Sequence, residues 1–309
     1  MGQNIKKLNY IPKEKVKVFS RRSDIMGFWL ILHCWALIIA SGAVFVIWPN
    51  PLTFTIALFV IGARQLGLAI LMHEASHGIL LKTPALNKFL GQFACAFPIG
   101  ADLPAYQTYH LKHHKYTQGK DDPDLSLSAP FPISRKSLWR KVARDLSGIT
   151  GLKLRFGQLA MTFKKHKNSD SQIAEAFNVK NIIGPYLWNV TLFAILYFSG
   201  LWWAYFALWL LPLLTTFQLV VRIRNIAEHA LTSEGDPLLQ ARTTYVNPLE
   251  RLLVAPYWVN YHVEHHVYMY VPCWQLKALH KEMKSAGHVD AMETKKSYID
   301  VLRHAAPIG

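Results

Sequence analysis

Residues 52–77 read LTFTIALFVIGARQLGLAILMHEASH, an apolar run that ends on two histidines four apart, His73 and His77. A helix needs about 20 apolar residues to cross the hydrocarbon core of a bilayer, and this run supplies them. Residues four apart on a helix share a face, so the run predicts a membrane span that delivers two imidazoles together to its end. A second apolar stretch precedes it, from Met26 to Trp48, and breaks at Pro49-Asn50-Pro51. A further block begins near Ile182, pauses at Ser199-Gly200 and ends near Val221. The pattern predicts an all-α integral membrane protein with four transmembrane helices in two hairpins.

Composition agrees with that reading. Hydrophobic residues make up 51% of the 309 residues and charged residues only 17%, which excludes a disordered or collagen-like chain. The net charge of +15 first suggests nucleic acid or an anionic membrane. Where the charges lie decides between them. Apart from Arg64, every Lys and Arg falls in residues 1–24, in 73–180 or from Arg222 onward, and the two hairpin tips carry none. The positive-inside rule then puts both termini and the middle segment in the cytoplasm, with the basic residues at anionic headgroups. No nucleic-acid motif is present, and nucleic-acid binding is not expected. The inner membrane of a bacterium is the expected location, or the endoplasmic reticulum in a eukaryote.

One domain over 1–309 is expected. Residues 1–24 form a basic arm, helical or partly disordered, and 25–72 the first hairpin. Residues 73–180 form a cytoplasmic segment and 181–221 the second hairpin. Residues 222–309 form a cytoplasmic cap of short helices that completes a histidine-rich dimetal site. The polar, Lys-rich start has no signal-peptide pattern, so the first span is expected to remain as an anchor. The stretch from Lys88 to Gln107 is broken by Pro98, Gly100, Asp102 and Pro104 and reads as an interfacial or re-entrant helix. Residues 120–180, with Pro123, Pro130 and Pro132, read as a loop. Cys34, Cys95 and Cys273 have no paired spacing and read as free thiols.

Eight of the 14 histidines fall into three clusters: His73/His77, His110/His113/His114 and His262/His265/His266. Neutral imidazole is a common ligand for iron, zinc, copper and nickel. A tetrahedral zinc takes four ligands, so eight convergent imidazoles imply two metals sharing the set.

The three boxes around two membrane hairpins resemble the membrane fatty acid desaturase superfamily. The likeness covers about residues 60–280 and includes Asn225-Ile-Ala-Glu-His229, similar to the family's Asn-x-x-x-His, and the acidic follow-on Asp121-Asp122-Pro123-Asp124. The resemblance implies two iron ions, His229 as a ninth ligand and Asn225 acting on one iron through a water. It implies O2 as co-substrate and hydrogen removal from an unactivated C–H bond of a lipid or acyl chain. It leaves open which histidine serves which iron. Glu74, Glu228 and Glu264 are candidates to orient ligand imidazoles, with solvated helix positions as the alternative. The sequence has no haem motif and no iron–sulfur cysteine set, so an external electron donor is implied, a ferredoxin or a cytochrome b5-like protein with its reductase.

Outside the boxes, Arg64 is an intramembrane charge and hence a functional candidate. It lines a substrate channel, pairs with a polar neighbour such as Asp102, or fixes helix contacts through Gln65 and backbone carbonyls. Trp258, Tyr261 and Trp274 bound the channel or pack at the interface. His33 reads as a satisfied core residue, and His166, His280, His288 and His304 as solvated. Two other functions compete. A hydroxylase of the same superfamily carries the same boxes. An intramembrane zinc metalloprotease would use His73-Glu74-Ala75-Ser76-His77 as its His-Glu-x-x-His motif, but leaves the other boxes idle. A metal transporter or sensor would need a polar path through all four spans, and few polar residues are available there.

Overall fold

Residues 10–163 and 179–307 are described by the computed structural model of the chain. Four helices are long and apolar enough to cross a membrane: Asp24–Ile47, Pro51–Ser76, Val179–Phe198 and Trp202–His229, numbered here as spans 1 to 4. The turn between spans 1 and 2 is built by Asn50. Its side chain accepts from the backbone N–H of Leu52 and Thr53, and Pro51 opens the next helix where no N–H is needed.

Burial separates the four spans into two pairs. In their most apolar stretches spans 2 and 4 are 61% and 56% buried, spans 1 and 3 only 22% and 11%. The exposed pair presents Phe28, Trp29, Leu32, Ile39, Leu187, Val190 and Ile195 outward, as lipid contact requires. The buried pair therefore forms the axis of the molecule. Spans 2 and 4 approach closely at Gly62, where a Cβ would stand 2.1 Å from the Thr216 hydroxyl oxygen. Thr216 donates that hydroxyl to the Leu58 carbonyl (2.8 Å), and the Gln65 amide donates to the Trp209 carbonyl (2.9 Å). Small residues and side-chain hydrogen bonds replace the hydrophobic effect as the glue between helices in lipid.

Spans 2 and 4 both run further than hydropathy predicts. Span 2 ends at Ser76 beyond Met72, and span 4 reaches His229 beyond Val221, so polar side chains, His73 and His229 among them, ride on the ends of the spans themselves. Span 4 is not a regular helix. It has a π-helical turn at Tyr205–Leu210 and a break at Thr215 (φ −118°, ψ −88°), just after Pro212.

The interrupted stretch after span 2 is a short helix, Pro84–Leu90, then a π turn and a 3-10 turn ending at Gly100, whose φ of 76° needs glycine. Asp102 then caps helix Leu103–Tyr116 by accepting from Ala105 N–H (3.0 Å). The expected loop over 120–180 is instead largely helical where described, with Arg135–Leu146 and Ile149–Phe163. The first of these docks through an ion pair: buried Asp145 takes a two-pronged contact from Arg222 of span 4, with Nη2 at 2.8 Å. Of the N-terminal arm, Lys13–Phe19 is helical; residues 1–9 and His166 lie outside the described residues.

After span 4 come the short helices Pro248–Leu253, His262–Val267, Cys273–Ser285 and Tyr298–Ala305. One two-residue parallel pairing, Thr243–Thr244 with Thr294–Lys295, qualifies the all-α expectation. Cys34, Cys95 and Cys273 are buried and free.

Because a side chain at Gly62 meets backbone and the Thr216 hydroxyl, Gly62→Leu is expected to push spans 2 and 4 apart. The expected cost is about 1–3 kcal/mol, read as a lowered thermal unfolding midpoint in detergent. An unchanged midpoint would contradict the close packing.

Candidate metal centre

Burial of the axis helices brings the boxes to one place. His73 lies in the last turn of span 2 and His77 follows as its C-cap. Helix Leu103–Tyr116 supplies His110, His113 and His114, span 4 supplies His229, and helix His262–Val267 supplies His262, His265 and His266. Their nitrogens form two groups. His73, His77, His110, His114 and His265 offer ligand atoms all within 4.8 Å of one another. His229 sits in the other group with His113 and His266, and with His262 and the Glu228 carboxylate.

Helical phase explains the division. At about 100° per residue, i and i+4 differ by about 40° while i+3 lies on the other side of i by about 60°. His110 and His114 accordingly turn to the first group and His113 to the second. The third box does the reverse, with His262 and His266 in the second group and His265 in the first. Each box bridges the two groups.

The donor chemistry tests whether these nitrogens suit metal ions. His229 Nδ1 lies 3.1 Å from the Gln240 carbonyl, which only accepts, so Nδ1 carries the proton. His113 Nδ1 donates to Asp122 Oδ1 (2.8 Å), a carboxylate that also accepts from the Gln118 and Asp124 N–H groups. His262 Nε2 lies 2.9 Å from His229 Nε2, and the Nε2 atoms of His113 and His229, both bare lone pairs, face each other at 3.2 Å. Lone pairs at that distance repel unless a cation lies between them. Two donors about 2.1 Å from one ion at a right angle stand about 3 Å apart. The first group repeats the spacing: His77–His110 2.9 Å, His110–His114 3.0 Å and His114–His265 3.1 Å, all between Nε2 atoms. The residues fit metal ions at both positions.

Protonation agrees. Burial pushes His110, His114, His262, His265 and His266 well below the usual imidazole range, with neighbouring imidazoles adding to the effect, and pushes His77 down to about 4. Neutral imidazole is the form that ligates.

The acidic candidates part ways. Glu228 holds Arg224 Nε at 2.7 Å and reaches to 3.5 Å from His262 Nε2, so its carboxylate stands among the ligands. Glu74 approaches His73 Nδ1 at 3.3 Å and accepts from the Cys273 N–H at 2.7 Å. Glu74 thus links the first box to the start of helix Cys273–Ser285. Glu264 orients no ligand imidazole. It accepts from Thr243 Oγ1 (2.5 Å) and from His280 Nδ1, fixing the third-box helix to the rest of the cap. His280 is therefore buried, not solvated, because it serves a buried carboxylate. His304 is exposed, and His288 is half-buried against the Tyr10 ring.

Asn225 lines a cavity of about 40 Å³ beside His113, Glu228, His229 and His262, enough for a water. Tyr106 lines it too and stacks on His110, ring centroids 5.3 Å apart. Arg64 does not pair with Asp102, which is held by Ala105 N–H and Gln92; it donates to the Leu252 carbonyl instead, and lines a separate cavity with Trp258. Tyr261 packs on His280 (5.2 Å) and lines neither cavity. His33 accepts or donates at Tyr257 Oη, 3.2 Å away.

Two positioning residues escaped the sequence reading. Asp122 orients His113, and only the acidic run itself hinted at it. Arg242 is 1% exposed and caps the C-terminal end of span 4, donating to the carbonyls of Ala227 (3.2 Å) and Ala230 (2.7 Å) with Glu293 on its Nε. Asp122→Asn removes the charge behind His113 and is expected to weaken metal retention about 10- to 100-fold. Metal content after dialysis against a graded chelator measures this, and wild-type retention would contradict Asp122 as the orienting group.

The fatty acid desaturase family model matches residues 48–292, which contain both groups. The chain is 28% identical over 285 residues to dihydrorhizobitoxine desaturase of Bradyrhizobium elkanii, covering 87% of this chain and 78% of that protein. It is 25% identical to zeaxanthin 4-ketolase of Chlamydomonas reinhardtii over 82% of this chain and 48% of the ketolase. A shorter match, 38% over 74 residues, joins it to a sphingolipid delta(4)-desaturase of Oryza sativa subsp. japonica, 24% of this chain and 22% of that one. With four apolar spans and two groups of histidines inside the matched region, the chain belongs to the membrane fatty acid desaturase family.

Proposed function

We propose that the chain is an O2-dependent desaturase that introduces a double bond into a fatty acyl or other lipid-like chain at a pair of iron ions. The carrying observation is the convergence of nine imidazoles in two groups at the ends of apolar helices, with the facing nitrogens of His113 and His229 both left as bare lone pairs. His73, His77, His110, His114 and His265 would hold one iron; His113, His229, His262 and His266 would hold the other, with Glu228 beside them and Asn225 acting through a water. When bound, the iron pair supplies O2 activation and removal of hydrogen from an unactivated C–H bond. The reaction balances as one –CH2–CH2– unit, O2, two electrons and two protons giving –CH=CH– and two waters.

The protein's own part is positional. Asp122 and the Gln240 carbonyl hold protons on the outer ring nitrogens of His113 and His229, which keeps the inner nitrogens free to ligate. The electrons come from a separate one-electron carrier, a ferredoxin or a cytochrome b5-like protein, at the basic face. The distribution of Lys and Arg supports placing that face, both termini and the cap in the cytoplasm. A second reading, oxygen insertion by hydroxylation, draws support from the ketolase similarity. Product mass separates the two.

Expression in a bacterial host that supplies ferredoxin, followed by mass spectrometry of extracted lipids and free acids, is expected to give species lighter by two hydrogens. His265→Ala is expected to abolish them and to lower bound iron, while His288→Ala leaves both unchanged. Full activity of His265→Ala would contradict the ligand assignment, and products heavier by one oxygen would favour hydroxylation.

A further inference from the structure

A second cavity, about 370 Å³, lies between span 1, span 2 and the Pro248–Trp258 stretch. Its size is that of a small-molecule site, toward the low end of about 300–1,000 Å³. Trp29, Leu37, Tyr257 and Trp258 give it apolar and aromatic walls, while Arg64 and Arg251 give it two guanidinium groups. Among the described residues neither Asp nor Glu lines it.

Arg64 is the anomaly. It is 3% exposed, and among the described residues no carboxylate pairs with it. Its Nη2 donates to the Leu252 carbonyl near the end of helix Pro248–Leu253, its guanidinium lies 5.8 Å from the Tyr257 ring centroid, and its buried Nε has no hydrogen-bond partner. A guanidinium stays charged when buried, and a buried charge is costly until it is paired. Arg251 spends one nitrogen on neutral acceptors, the Ala255 carbonyl (3.2 Å) and Asn260 Oδ1 (2.8 Å). The wall is held in a strained shape: Tyr257 and Trp258, consecutive and bulky, have φ of 52° and 58°. Such left-handed pairs persist where the surroundings over-determine them, and they cluster at ligand sites.

We infer that this cavity binds an oxyanion carried on the end of a single apolar chain, with Arg64 as its counterion, and that the ligand is a free carboxylic acid. Two cations without an anion select the charged end, and the volume suits one chain. Arg64 and His73 lie on one unbroken helix, nine residues or about 13 Å apart along its axis. A chain anchored at Arg64 has that length to reach the level of the imidazoles. The substrate class thus becomes a free acid, a step that rests on the desaturase reading; the anion site itself does not.

The test is equilibrium binding to purified protein in neutral detergent, without O2 or reductant, using palmitate, methyl palmitate and phosphatidylglycerol. Wild type is expected to bind palmitate about 10- to 100-fold more tightly than its uncharged ester. Arg64→Met is expected to reduce palmitate binding to the ester's level, with ester binding and iron content unchanged. Equal binding of acid and ester by the wild type overturns the proposal, as does undiminished acid binding by Arg64→Met. Tighter binding of phosphatidylglycerol than of palmitate overturns the free-acid assignment. Because no turnover is needed, palmitate that binds but is never desaturated would count against the desaturase reading and leave the anion site standing. Desaturation of uncharged lipids with no preference for acid would support the desaturase reading and overturn the free-acid substrate class.

Discussion

The structure depends on one electrostatic constraint: imidazole lone pairs held face to face about 3 Å apart inside a low-dielectric core. The protons that would turn those contacts into hydrogen bonds are committed elsewhere, on the Nδ1 atoms of His113 and His229. A cation between the two nitrogens would relieve the repulsion, which is why the arrangement suits metal ions. Much else in the chain serves to keep these side chains from relaxing apart. Arg242 caps the end of span 4, Glu264 ties the third box to Thr243 and His280, and the Gly62 contact clamps the two buried spans together.

The membrane shapes how this is done. Span ends are where backbone hydrogen bonds run out and polar side chains find partners, and both buried spans carry clustered imidazoles there. The cap then meets those ends with short helices. Each of the two His-x-x-His-His helices contributes to both groups because i+3 and i+4 point to opposite sides of i. A rotation or slip of either helix would damage both sites at once, which makes the centre one cooperative unit.

Much of this was legible in the sequence. Hydropathy locates the four spans, and the spacing of the boxes locates the imidazoles that converge, because apolar length and helical period are local properties. What remained hidden depended on tertiary partners. The extension of span 4 from Val221 to His229 was masked by Arg222, Arg224 and Glu228, whose charges are met by Asp145 and by one another. Pro123, Pro130 and Pro132 and the basic residues make 120–180 read as a loop, whereas helix Arg135–Leu146 docks through buried Asp145 on Arg222, a partner distant in sequence. His280 was read as solvated because nothing near it in the chain announces Glu264, 16 residues earlier, as its partner. The division of nine histidines into two groups required the helices to be placed first.

Metal stoichiometry of the purified wild-type chain separates a two-iron centre from a single metal site. Elemental analysis of protein prepared without added metal, paired with iron X-ray absorption, is predicted to give two irons per chain in a shell dominated by imidazole nitrogen at about 2.1 Å. A single zinc per chain, or a protein that folds and turns over without metal, would contradict it.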